Sequence, residues 1–238
     1  MAEAQREVVD LREHRDDVLL DELYRKLFLP NFPDPDEHED PRDWAPRLWG
    51  DRGSTEPVLH ALVAGAELAS PQRRVVMGFL LCEFYESSAC GLLSYLAIDD
   101  RFRQQGLARE LFERGIQALT DEAESTARAL RAVFGEIHDP EKFPASQDSF
   151  DPAARLEVMK KLGARLVPIS YVQPALGPGL SRSDRLLLVT FPINGEDVGS
   201  IDAEIVQDFL QELYVALGVE NPELDPDYQR MREELGVL

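Results

Sequence analysis

The stretch that decides the fold is YLAIDDRFRQQGLARELFERGI, residues 95–116. It opens as an apolar strand, passes through a charged turn holding Gly106, and continues with helical spacing. Leu107, Leu111, Gly115, Ala118 and Leu119 fall on one face, which predicts a helix from Gly106 to about Leu119. Arg101, Arg103 and Arg109 cluster around that single glycine in a chain of net charge −20. A helix N-terminus offers unpaired N–H groups and the positive end of its dipole, and phosphate binds there readily. Gly106 has no Cβ to hold the backbone away from a bulky anion, and Ala108 is small enough to permit close approach. The expectation is a pyrophosphate held by main-chain amides directly after a strand. A GxxxxGK[ST] loop is absent from the chain, and the stretch lacks the three glycines of a dinucleotide fingerprint.

Outward from this stretch, the periodicity predicts strands at 7–11, 57–68, 74–86, 92–99, 130–138, 165–176 and 184–193. The three from 57 to 99 read as an antiparallel meander. Helical spacing marks 18–28 and 154–164, the latter closing on Gly163. The segment PNFPDPDEHEDP, 30–41, is dense in Pro and Asp and reads as an extended surface loop. WAPRLWG, 44–50, reads as a short helix or turn packing two tryptophans, and 139–151 as a polar connection. At the C-terminal end Ile201, Ile205, Phe209, Leu213 and Leu217 repeat at every fourth residue up to Gly218, and a shorter helix follows Pro226. The reading is one α/β domain over 1–200 with a helical extension over 201–238 that packs on the domain or on a second subunit.

The totals bound the partners. With 45 acidic against 25 basic residues, generic binding to nucleic acid or to an anionic membrane is disfavoured, and the acidic surface either attracts a cationic partner or serves solubility alone. Cys82 and Cys90 form no CxxC pair, and no Cys/His cluster has metal-ligand spacing, so buried thiols and no metal are expected. The charged N-terminus is no signal peptide and no apolar run reaches membrane-spanning length, which together predict a cytoplasmic protein.

Arg103-Gln104-Gln105-Gly106-Leu107-Ala108 fits the R/Q-x-x-G-x-G/A signature of the GCN5-related N-acetyltransferases (GNAT). LAIDDRF matches the strand and turn before that signature, and ARLEVMKKLGARLVP, 154–168, resembles the family's second motif. The resemblance covers roughly 57–193. It implies a GNAT-type α/β fold: a mixed, mostly antiparallel central sheet flanked by helices and splayed between the strands 92–99 and 130–138. It implies acetyl-CoA in the splay as co-substrate, with Leu96, Ala97 and Ile98 along the pantetheine and Gln104 to Ala108 on the pyrophosphate. Leu96 N–H is then the candidate donor to the thioester carbonyl. The cofactor-binding set is thus Leu96, Ala97, Ile98, Arg103, Gln104, Gln105, Gly106, Leu107, Ala108 and Arg109.

Acyl transfer to an amine needs a base for the ammonium proton, a donor for the developing oxyanion and an outlet for the thiolate. Glu136 and His138 alternate at the end of one strand and share a face, as a candidate base and relay. Glu83 and Tyr85, with Tyr95 opposite them, are further candidates. The family's second motif often carries a Tyr where this chain has Met159, which donates no proton; Tyr171 is the alternative phenol. The Asn that often opens that motif is also absent, with Asp151-Pro152 near its place. Phe32, Trp44, Trp49, Gln173 and Pro174 are candidates for acceptor contacts. The expected activity is acetyl transfer to a primary amine, either a small cationic amine or a protein lysine, by direct attack. The missing Tyr supports an alternative: a non-catalytic acyl-CoA-binding sensor or interaction module. Acyl chain length and a homodimer built on the C-terminal helix stay open.

Overall fold

The structure, a computed structural model, describes residues 5–50, 53, 55–144, 150–193 and 201–236. The boundary expected at 200 and part of the 139–151 connection lie outside these. Seven strands form one sheet: β1 (Arg6–Asp10), β2 (Val58–Ala66), β3 (Val75–Tyr85), β4 (Cys90–Ile98), β5 (Ala132–His138), β6 (Arg165–Leu166) and β7 (Leu186–Phe191), in the order β1-β2-β3-β4-β5-β7-β6. Every neighbouring pair is antiparallel except β4 and β5. Those two run parallel from Cys90/Ala132 to Leu93/Gly135, where their pairing ends. The meander and the expected splay are both present. Two apolar runs, VLHALVAGA and VVMGFLLCEFY, build the sheet's centre because they are buried on both faces rather than alternating.

Helices cover both faces. α1 (Asp17–Leu23), a π-helical turn (Tyr24–Phe28), α2 (Leu29–Asn31) and α3 (Pro41–Trp49) pack Leu23, Phe28 and Trp44 against Phe79 and Tyr95. α4 (Leu107–Ser125) runs past the expected end at Leu119 and lays Leu107, Leu111 and Leu119 on Leu80 and Phe84. α5 (Pro152–Lys161) starts on the Asp151 carboxylate, which caps Ala154 N–H. On the other side α6 (Ala203–Ala216) and α7 (Pro226–Glu234) seal Tyr85, Leu92 and Phe134. Phe209 of α6 stacks on Phe134 with ring centroids 4.2 Å apart. The C-terminal extension packs on this chain's own sheet. No helix of the described residues is long and apolar enough to cross a membrane.

Two expectations are corrected. The predicted strand 165–176 is a strand only at Arg165–Leu166. Pro168 and Pro174 lack the N–H a ladder needs, so the chain leaves the sheet after Val167 N–H bonds Leu188. It meets a partner again only where Gln173 bridges Ser183. The 30–41 segment is no free surface loop. It makes a 3-10 turn at Pro35–Glu37 and is pinned inward by Tyr95 Oη donating to the Glu37 carbonyl (2.9 Å) and by Arg185 to Asp34 (3.0 Å).

One buried ion cluster anchors α4 to the sheet edge. His60 on β2 sits 2.7 Å from Asp10 on β1 and 3.3 Å from Glu122 on α4. Burial alone opposes a charge on His60, but the bonds to Asp10 and Glu122 outweigh it and raise its pKa. A raised histidine pKa contributes stability that is complete below the unfolded value and fades as pH rises through the folded one. His60→Phe therefore lowers unfolding stability by about 3 kcal/mol below neutral pH. Urea midpoints at a series of pH values should show the gap to wild type narrowing as pH rises.

Candidate active site

A bulge in β4 sits where the splay begins. Leu81 opposes Tyr95 and Cys82 opposes Leu93, which leaves Ser94 unopposed on β4. Beyond it Leu96, Ala97 and Ile98 pair with β3 alone, so the other edge of β4 has no strand partner there. A cavity of about 470 Å³ occupies this opening. Leu96, Ala97 and Ile98 line it along β4, and Arg103, Gln104, Gly106, Leu107, Ala108 and Arg109 around the start of α4. Val158, Met159 and Leu162 close it from the α5 side.

The glycine turn is shaped by backbone. Gly106 has φ +79° and is the N-cap of α4, with no side chain bonding the helix's first N–H groups. A Cβ at Gly106 would meet nothing within 4 Å, so packing does not require the glycine; the left-handed backbone and the open space before it do. Gln104 also has positive φ, 62°, the left-handed backbone from which anion-binding turns are built. The arginines divide. Arg101 is turned outward onto Asp99 (2.7 Å). Arg103 bonds the Ile98 carbonyl (3.2 Å) and Asp100 (2.7 Å), and Arg109 reaches the Lys161 carbonyl (3.4 Å). Gln105 is the one member of the expected set that does not line the cavity; its side chain folds back on the Arg101 carbonyl (3.3 Å). Arg6, unremarked in the sequence, ties β1 to this turn through the Gln105 carbonyl (3.2 Å) and Glu110 (2.8 Å).

A second cavity of about 220 Å³ adjoins the first, and Phe32, Ser94, Glu136, Ile137 and Arg155 line both. Glu136 accepts hydrogen bonds from Tyr171 Oη and from Gln173 Nε2, the latter at 2.8 Å. Part of its side chain faces the cavity, while its carboxyl is enclosed by the fold. Burial outweighs both hydrogen bonds, and with nearby Glu83 and Glu39 it lifts the carboxyl to about 7. The Ser94 hydroxyl is buried and has no partner among the described residues.

His138 stands one strand repeat from Glu136 but is differently placed. Arg155 Nη1 lies 2.8 Å from its Nδ1, and Glu37 lies 2.5 Å from its Nε2. A guanidinium only donates, so Nδ1 accepts and Nε2 carries the proton that Glu37 receives. The ring's lone pair is therefore engaged. His138, expected as a relay beside Glu136, ties the 30–41 segment to α5 through these two contacts. Tyr171, expected as an alternative acid, lines neither cavity and spends its proton on Glu136.

Among the acceptor candidates, Phe32 and Gln173 line the second cavity; Trp44, Trp49 and Pro174 do not. Trp44 is fully buried and donates to Glu39 (2.7 Å), while Trp49 donates to the Leu11 carbonyl. Both hold the early helices on the sheet. Sequence spacing missed Arg47, whose guanidinium bonds Glu83 and, at 3.2 Å, Glu39. It is 8% exposed, and its ion pairs join α3 to β3 across the cavity wall. Arg47→Met leaves two buried carboxylates without their cation and should cost about 3 kcal/mol or more, read from the urea midpoint at neutral pH. Among the described residues no group of three or more His, Cys, Asp or Glu side chains is arranged to hold a metal ion.

Comparison with known proteins agrees with this geometry. A model of the acetyltransferase (GNAT) family matches residues 20–138, half of the chain. No curated protein matches in sequence. Among solved structures, a chain from Bacteroides thetaiotaomicron assigned to the GNAT family superposes with TM-score 0.56 at 16% identity, covering 91% of this chain and 99% of its own. The ribosomal-protein-S18-alanine N-acetyltransferase of Escherichia coli superposes with TM-score 0.48 at 14% identity, covering 82% of this chain and 99% of its own. At 16% identity the first of these likenesses speaks for the fold alone. The family match, the splayed sheet and the glycine turn before α4 agree: the chain belongs to the GNAT acetyltransferase family.

Proposed function

We propose that this acetyltransferase moves the acetyl group of acetyl-CoA directly onto a primary amine, with Glu136 as general base. One observation carries the reading: Glu136 lines both cavities and has its pKa lifted to about 7. A base poised near the working pH is half ionised there and regains its proton readily. The residues present fit the co-substrate. The open space before Gly106 and the uncapped amides of α4 suit a diphosphate, and the unpartnered edge of β4 suits an extended pantetheine arm. Acetyl-CoA supplies a thioester carbonyl as electrophile.

The chain's own groups do the rest. Glu136 takes one proton from the acceptor's ammonium, directly or through one water. The freed nitrogen lone pair forms the N–C bond, the C–S bond breaks, and the remaining excess proton of the attacking nitrogen ends on the thiol. Leu96 N–H is assigned to the thioester oxygen as charge develops. Met159 donates nothing and Tyr171 Oη is committed to Glu136, so the thiolate takes its proton through solvent. A covalent acetyl-enzyme is disfavoured. Burial pushes the Cys90 thiol up to about 12 and Cys82 higher than its ordinary value too, so neither offers a thiolate. The test follows thiol release with primary amines and weighs the quenched protein. Equal amounts of thiol and N-acetyl product with no acetylated protein support the reading. CoA binding without thiol release for any amine would assign a non-catalytic module instead.

A further inference from the structure

The second cavity draws its lining from two unlike sources. The segment around α3, with β3 and β5, supplies Glu37, Glu39, Asp43, Glu56, Glu83 and Glu136. Among the described residues two guanidiniums, Arg47 and Arg155, and the His138 ring line it against these six carboxyls. The deficit is visible in the acids themselves: burial and mutual repulsion raise Glu39 and Glu136 despite their hydrogen bonds. A cation entering here relieves that repulsion.

One stretch of the remaining wall is aliphatic. Leu176 and Leu186 line it beside Leu213, Ala216 and Leu217 at the C-terminal end of α6. α6 lies outside the segment that the family model matches. It is fixed firmly: Glu212 accepts from the amides of Ser87 (2.9 Å) and Ser88 (2.7 Å), Asp208 pairs with Arg131 (2.7 Å), and Tyr214 Oη donates to the Val172 carbonyl (2.7 Å). A wall held this way is pre-organised to select by shape.

We infer that the acceptor is a small primary amine whose single cationic end is joined to a compact apolar body, and that Ala216 and Leu217 of the C-terminal extension set the size of that body. This rests on the acyl-transfer reading for its chemistry, but the binding preference is measurable without turnover. A polyamine would lay a second ammonium against the side chains of Leu176, Leu213 and Leu217, a desolvation cost that disfavours it.

The test is calorimetric titration of the CoA-saturated protein with 2-phenylethylamine, spermidine and a short lysine peptide. Phenylethylamine is expected to bind at least about tenfold tighter than either. Ala216→Leu should weaken phenylethylamine about tenfold and leave the affinity for CoA unchanged; Leu217→Phe repeats the test should Ala216→Leu fail to fold. Tighter binding of spermidine or the peptide, or an Ala216→Leu variant that binds all three as wild type does, overturns the inference. Phenylethylamine bound as expected but never acetylated would overturn the transfer reading and leave this one standing. Preferred acetylation of spermidine would do the reverse.

Discussion

Glu136→Gln is expected to lower kcat by about a hundredfold or more while acetyl-CoA binds with unchanged affinity. Gln keeps the shape and can still accept from Tyr171, but it takes no proton. The pH dependence separates this from a merely structural effect. With the carboxyl poised at about 7, wild-type kcat/KM should climb about tenfold per pH unit below that value and level off above it. The residual rate of the variant should lose that limb. Stability runs the other way. A carboxyl raised in the folded state favours folding fully below its ordinary value of 4.5, and that contribution is lost as pH rises through about 7. The wild type therefore gains activity where Glu136 gives up stability. A variant with an intact rate would remove Glu136 from the chemistry.

Gly106→Val should abolish measurable CoA binding, with affinity down by about two orders of magnitude or more. Two effects combine. A β-branched residue at φ +79° is strained by about 1–2 kcal/mol, and its side chain fills the space before the amides of α4 that now meets nothing within 4 Å. Gly179→Val is the control. It has φ +83° and equally open surroundings on an exposed loop away from both cavities. Both variants should lose comparable stability by urea titration, but only Gly106→Val should lose the heat of CoA binding. Equal loss of binding in both would reduce Gly106 to a folding role.

Much of the architecture is legible in the sequence because its signals are local. The meander follows from three long apolar runs with turn residues between them, and the α4 turn from one glycine between a strand and an amphipathic helix. Failures arise where distant segments meet. SYVQPAL looks like a strand by composition, yet Pro168 before it and Pro174 within it take it off the sheet, where it carries Tyr171 and Gln173 to Glu136. The Pro/Asp-rich 30–41 segment looks like solvated loop, and no spacing announces that Tyr95, Arg185 and His138 bind it down. Arg47 is one arginine among many in the sequence; only the fold sets it between Glu39 and Glu83. His138 shows the converse. Its strand position beside Glu136 is readable, but the engagement of both its nitrogens, by Arg155 and Glu37, is not.

The account stands most directly on where an acceptor nitrogen meets the acyl carbon. A crystal structure with a bisubstrate analogue, a primary amine joined to CoA through an acetyl bridge, measures this in one step. The diphosphate should lie against the amides from Gln104 to Ala108, with the linked nitrogen within about 3 Å of Glu136 or one water away. A diphosphate bound elsewhere, or a nitrogen on the far side of β4 from Glu136, would contradict it.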